Sequence, residues 1–205
     1  GKILLARDTR PHGEILYKAI KDSLNDRGRS VIECNIIPTP TAQYIIKKEK
    51  LAGGIVITAS HNPIEWNGMK FIDSNGCFLS MEKNELLFNE NLKFESINII
   101  TKNEIRENAY CNHVNHTLDL ECIDTKSIKK RKFKVVIDTV NGAGYKALPY
   151  ILRNLGCKLV EINCKNETPF PRGTEPIPAH LENLSKKVKS PKMTQIALYR
   201  TQIAV

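Results

Sequence analysis

The sequence predicts an α/β fold of mixed or parallel sheets flanked by helices. Three observations carry that prediction. Apolar runs of strand length alternate with stretches of helical periodicity, the alternation lapses near residue 105 and restarts at Val135, and 205 residues hold one to two domains of ordinary size. Hydrophobic residues at 41% and charged residues at 26% exclude a disordered chain, and the longest apolar run, near Ile55 to Ile57, is far too short to cross a bilayer. Gly1-Lys2-Ile3-Leu4-Leu5 has none of the pattern of a secretory signal, so a cytoplasmic protein without a membrane partner is expected.

The elements follow in order. Ile3 to Ala6 reads as a strand, and Glu14 to Arg27 as a helix with Ile15, Ala19 and Leu24 near one face and Gly28 as its stop. Val31 to Ile37 is a second strand closed by Pro38 and Pro40, Ala42 to Lys50 a second helix, and Gly54 to Thr58 a third, almost wholly apolar strand. Residues 81–93 read as helical. From Tyr110 to Lys132 the composition turns polar and ends in Lys129-Lys130-Arg131-Lys132, which places a boundary near residue 105, between units 1–104 and 105–205. The second unit reads as strand (Val135 to Ile137), glycine turn (Asn141 to Gly144), helix (Tyr145 to Leu155), strand (Leu159 to Ile162), Pro-rich loop through Pro178, and a helix near Leu181 to Lys189.

The six cysteines contain no Cys-x-x-Cys, and four sit in or beside apolar runs, so neither a disulfide frame nor a zinc site is expected. The net charge of +9 suits an anionic partner and does not choose among nucleic acid, a membrane surface and a phosphorylated small molecule.

The densest chemistry is Thr58-Ala59-Ser60-His61-Asn62-Pro63, directly after the apolar strand and followed by Asn67-Gly68-Met69-Lys70. Ligands of open α/β sheets bind beyond the carboxyl ends of strands, which puts the Ser60 hydroxyl, a candidate nucleophile, at the rim where substrate arrives. His61 offers a proton donor or acceptor near neutral pH, and the Asn67-Gly68 turn could swing Lys70 back toward Ser60. The alternative is a polar hairpin turn. Direct Ser60–His61 pairing is not expected, because neighbouring side chains on an extended segment point in opposite directions.

The run Thr58 to Pro63, continued as Glu65-Trp66-Asn67-Gly68-Met69-Lys70, closely resembles the active-site loop of the α-D-phosphohexomutases, the phosphoglucomutase, phosphomannomutase and phosphoglucosamine mutase superfamily. Arg7-Asp8-Thr9-Arg10 with Gly13 is similar to that family's first-domain segment, and Val136 to Gly144 with Pro171 through Pro178 to the opening of its second domain. The resemblance implies two phosphohexomutase-type domains, the second incomplete, and an isomerase that works as an intramolecular phosphotransferase between hexose 1- and 6-phosphates. Glucosamine or mannose/glucose phosphate is the expected substrate. Ser60 would be the phosphoserine and a metal ligand once phosphorylated, with magnesium and a hexose 1,6-bisphosphate activator as cofactors; His61 and Lys70 would be the acid and base candidates. Arg10, and with it Arg7, would steady the loop or the phosphate; a structural ion pair or a solvated strand end is the alternative.

Two other patterns compete. Gly142-Ala143-Gly144-Tyr145-Lys146-Ala147, with Glu161 beyond it, satisfies a dinucleotide fingerprint and suggests an oxidoreductase, although Asp138 to Asn141 lengthen the turn before the first glycine and Ser60 to Lys70 would go unexplained. Residues 127–134 are basic enough for a nucleic-acid patch, yet aromatic content is only 6% and no nucleic-acid motif surrounds them, so a solvated linker is expected and no nucleic-acid partner. His113 and His116 are expected on the surface of a linking helix.

Family members have four domains, so the resemblance implies an N-terminal fragment that lacks the sugar-selecting domains, leaving the sugar and the oligomeric state unread. The family's metal loop, an Asp-x-Asp-x-Asp-Arg run, is expected shortly after residue 189, yet Lys192 to Val205 contains no acidic residue. Tyr199 to Val205 can be encoded so that dropping two bases yields Pro-Asp-Ala-Asp-Arg-Cys. The tail from about Ser190 is therefore expected to be a frameshifted reading, which sequencing of the coding DNA decides. Without those carboxylates the chain is expected to have little or no mutase activity, and a non-catalytic phosphosugar-binding fragment is the alternative function.

Overall fold

In the computed structural model, which describes residues 1–88 and 100–189 and the backbone of strand 195–199, the apolar alternation of Ile3–Arg7 (β1) decides how the first unit is layered. Side chains along a strand alternate between faces. Leu4 and Ala6 therefore enter one cluster, with Ile32, Ile45, Ile46 and Val56, while Leu5 enters the other with Tyr17, Val31 and Ile57. Helix Gly13–Asp26 (α1) supplies Tyr17, Ile20 and Leu24 to the second cluster, and helix Thr39–Lys48 (α2) supplies Ala42, Ile45 and Ile46 to the first. One sheet is thus buried between two helices.

That sheet also contains Val31–Ile36 (β2), Gly53–Ile57 (β3), Met69–Asp73 (β4) and Glu104–Ile105 (β5), in the order β4-β3-β1-β2-β5. All neighbours are parallel except β3 and β4, whose antiparallel register sets Val56 opposite Lys70. The strand at 69–73 was not expected from the sequence; its pattern is irregular because Met69 lies exposed at the sheet edge and only Ile72 is fully buried. Helix Met81–Leu87 (α3) occupies the start of the stretch expected to be helical over 81–93, and the end of that expectation lies outside the described residues.

The second unit has a parallel sheet of Lys134–Asp138 (β6), Lys158–Ile162 (β7) and Gln195–Tyr199 (β8), in the order β7-β6-β8. Helix Ala147–Asn154 (α6) brings Leu152, Leu148 and Ile151 onto Val135 and Ile137, while Val136 is buried on the opposite side of β6.

Two short helices, Tyr110–Leu118 (α4) and Thr125–Arg131 (α5), fill the stretch between the units. The basic run expected as a solvated linker is the last turn of α5, capped at its start by the Asp124 carboxylate, which accepts from the Ser127 amide at 2.9 Å. Lysine and arginine at a helix C-terminus complement its dipole, which accounts for the charge there. His113 is likewise not a free surface residue: its ring stacks on Tyr44 of α2 at 4.9 Å, and its Nδ1 lies 3.1 Å from the Thr41 hydroxyl. His116 is exposed, with its ring tilted against Tyr44 at 5.2 Å. Among the described residues no helix is long and apolar enough to cross a membrane.

Candidate active site

The first sheet changes winding direction between β1 and β3, because β2 lies on one side of β1 and β3 on the other. Chain leaving two such strands diverges to opposite faces and opens a crevice at their carboxyl ends. Asp8-Thr9-Arg10 follows β1 into that crevice, and Thr58 to Gly68 follows β3. The first segment is tied to the end of β3 by Asp8 N to Ile57 O, and the second is closed at its base by Thr58 N to Gly68 O, each 2.9 Å.

Arg10 organises the loop. Its side chain is 0% exposed, and its Nε donates to the Asp8 carboxylate at 3.1 Å. Nη1 donates to the carbonyls of Pro63 and of Trp66, the latter at 3.1 Å; Nη2 donates to those of Ser60 at 3.1 Å and Asn62 at 2.8 Å. A guanidinium has five N–H groups, and all five are thereby used. Of the roles the sequence left open, this geometry supports loop support through a buried ion pair, with no donor left over for a phosphate. Asp8, which sequence reasoning did not assign, also accepts the Arg10 amide at 2.9 Å; its burial raises its carboxyl against the pull of Arg10. Arg7, the last residue of β1, has its guanidinium 3.6 Å from the exposed Glu14 carboxylate.

Ser60 sits at the apex in the left-handed region, φ 56°, with its amide on the Thr58 hydroxyl at 3.2 Å. A residue with a side chain held there costs on the order of 1–3 kcal/mol and persists only where its surroundings fix it, which the Arg10 contacts do. This conformation overturns the expectation about His61. The segment is not extended, so the neighbouring side chains meet, with Ser60 Oγ 3.3 Å from His61 Nδ1. Both remain accessible to solvent.

Lys70 is carried by β4 rather than by a turn, opposite Val56, with its ammonium 5.2 Å from the centre of the Phe78 ring. It stands two residues after Gly68, on the strand that leaves the loop. Partial burial lowers its pKa from the ordinary 10.5. We expect Lys70 to titrate below the other lysines when the methylated amines are followed by NMR through alkaline pH; a signal that moves with the exposed lysines would contradict this.

Sequence reasoning missed the contribution of the second unit. The Phe170 ring lies 5.6 Å from the Arg10 guanidinium carbon, and the Thr174 hydroxyl donates to the carbonyl of His61. Arg172 between them is anchored by its Nε on the Asp138 carboxylate, 2.9 Å. A cavity of about 390 Å³ lies between this segment and the loop, lined in part by His61, Glu65, Phe170 and His180. The glycine turn that resembled a dinucleotide site is closed: residues 138–144 are all buried, and Asn141 is bonded to the backbone of Lys165 and Glu167.

Among the described residues no three His, Cys, Asp or Glu side chains stand together as a metal site, and residues 190–205 contain none of these types. The donors of the described residues therefore do not make up a magnesium site, and among them Ser60 alone would bring one oxygen group to it.

Two α/β units, the first with a strained serine loop at the switch point of its sheet, correspond in order to the two α/β/α domains of one enzyme family. Sequence models of the phosphoglucomutase/phosphomannomutase α/β/α domains I and II match residues 1–95 and 108–199, and the chain belongs to this phosphohexomutase superfamily. It is 39% identical over 196 residues to a phosphoglucomutase/phosphomannomutase of Thermococcus kodakarensis, covering 92% of this chain and 42% of that one. A phosphoglucosamine mutase of Nautilia profundicola is 35% identical, over 92% of this chain and 43% of its own. The chain thus spans less than half the length of these relatives. The crystal structure of a Thermus thermophilus protein named as a phosphomannomutase superposes with a TM-score of 0.81 at 25% identity, over 98% of this chain and 46% of that one. The family match continues to residue 199, well into the stretch expected to be out of frame from Ser190, and the backbone of 195–199 completes the second sheet.

Proposed function

We propose that this chain carries the phosphoserine half of a phosphohexomutase that interconverts hexose 1- and 6-phosphates, with Ser60 as the group that gives and receives the phosphoryl. The observation that supports this most is Ser60 itself: a left-handed serine on an accessible loop, fixed from beneath by the four Nη hydrogens of a buried arginine. The relatives are named for glucose, mannose and glucosamine phosphates, and one of these hexose phosphates is the substrate we infer.

When Ser60 Oγ bonds to the phosphorus of a sugar bisphosphate, the bond from that phosphorus to the sugar oxygen breaks. His61, whose Nδ1 lies 3.3 Å from Oγ, is placed to take the hydroxyl proton, and Lys70 is the remaining candidate to protonate the departing sugar oxygen. The reverse transfer to the other sugar hydroxyl regenerates Ser60. Magnesium would neutralise the phosphoserine in such a site; the described residues gather no carboxylate cluster to hold it, so slow phosphorylation without sustained turnover is the behaviour we expect.

The test is the intact mass of the purified chain before and after incubation with glucose 1,6-bisphosphate and magnesium, with peptide mapping across Gly53 to Lys70. One added phosphoryl group on Ser60, absent in Ser60→Ala, is expected. No gain would overturn phosphoserine chemistry in this chain and favour a non-catalytic phosphosugar-binding role; robust turnover of hexose 1-phosphates would overturn its inactivity.

A further inference from the structure

We propose that Thr174 is a positioning residue for Ser60, through which the second unit sets the geometry of the serine loop. The inference rests on the reading of Ser60 as the reacting group. Three successive carbonyls leave the apex of the loop, and each is held: that of Ser60 by Arg10, that of His61 by the Thr174 hydroxyl, and that of Asn62 by Arg10 at 2.8 Å with Thr174 at 3.3 Å. Arg10 acts from inside the first unit, and Thr174 acts from a position 113 residues further along the chain than His61.

Thr174 is itself fixed. It is 8% exposed, and the segment that carries it is tied to the end of β6 by Arg172, whose Nε lies on Asp138 at 2.9 Å and whose Nη1 lies on the Gly173 carbonyl at 2.8 Å. Asp138 is 1% exposed and also accepts from the Val140 amide at 2.9 Å and from Asn163 at 3.2 Å, so the anchor is rigid. The two units are built alike at this point. In each, a buried aspartate at the carboxyl end of a central strand, Asp8 or Asp138, holds an arginine, Arg10 or Arg172. The Phe170 ring lies 5.6 Å from the carbon of the Arg10 guanidinium, whose side chain is fully buried. The left-handed turn at Ser60 is therefore gripped between the two units, and its geometry depends on their docking.

Hydrogen–deuterium exchange of the full chain tests this with Thr174→Val, which keeps the shape and loses the hydroxyl, and Thr174→Ser, which keeps the hydroxyl. The amides of Ser60, Asn62 and Trp66 are bonded within the loop, at 3.2, 3.0 and 3.1 Å. In Thr174→Val we expect them to exchange about tenfold faster, the effect of losing one buried hydrogen bond, while β1 and β3 are unchanged. Thr174→Ser should restore the wild-type rates. Thr174→Ala, which also lacks the hydroxyl, should repeat the Val result if that variant folds poorly. Unchanged loop exchange without the hydroxyl, or equally fast exchange in Thr174→Ser, would overturn the proposal. Exchange is read without any phosphoryl donor, so a Ser60 that fails to accept phosphate is distinguished from a loop that Thr174 does not hold.

Discussion

Replacing Arg10 with methionine is expected to cost about 3–5 kcal/mol of folding free energy, the usual penalty for removing one partner of a buried ion pair. The loss falls mainly on Asp8, a carboxylate 2% exposed that would keep only its short-range amide and hydroxyl donors. The four loop carbonyls that Arg10 serves can turn to water, at the expense of the left-handed Ser60, so phosphoryl acceptance should fall with stability. Arg10→Lys should recover little, since a point charge with three donors cannot reach a carboxylate and four carbonyls in the plane of a guanidinium. Pairing the change with Asp8→Asn should recover part of the loss.

The defect carries a pH signature. A carboxyl whose pKa is raised on folding binds its proton more tightly in the native state, so stability falls as pH rises from the ordinary value of 3.8 through the folded one. Without Arg10 the folded value moves further up, and acidification back across that window should shrink the difference from wild type. Urea unfolding at several pH values measures both effects. A loss below about 1 kcal/mol at neutral pH would mean that the pair is not buried as described.

Asp138→Ala is expected to be as severe, about 3–5 kcal/mol, because it strands a guanidinium whose side chain is 10% exposed and removes the acceptor of three hydrogen bonds. The Nη2 of Arg172 already lacks a partner, so little compensation is at hand. The double variant Asp138→Ala with Arg172→Met removes both charges and should regain a substantial part of the loss. Urea unfolding of the four proteins closes the cycle, and additive losses would show that the two side chains do not depend on one another.

How much of this was legible follows from the range of each interaction. The first three strands could be read because Leu4, Leu5, Val31, Ile32, Val56 and Ile57 are apolar at strand spacing and are buried where that spacing predicts; the first helix was placed but its buried face was not, since Ile15 is 70% exposed, Ala19 is exposed too, and Tyr17 packs inward with Ile20 and Leu24. The edge strand at 69–73 could not, since exposure on its outer side erases the pattern on which such reading depends. The serine loop was found from its run of residues, yet its geometry was not: the left-handed Ser60, and with it the meeting of Ser60 and His61, follows from backbone contacts that leave no local trace. The double role left to Arg10 in the sequence closed only when its burial was known. Thr174 lies in a stretch whose prolines mark a loop and whose remote contact with His61 has no periodicity to betray it.

The chain has a single tryptophan, Trp66, and it stands 62% exposed in the serine loop, where its carbonyl is one of those that Arg10 holds. Ultraviolet emission excited at the indole band therefore originates from the same short loop as Ser60 and from nowhere else in the polypeptide. The protein carries its own optical reporter of this loop, so any rearrangement around Ser60 can be followed in real time without a label.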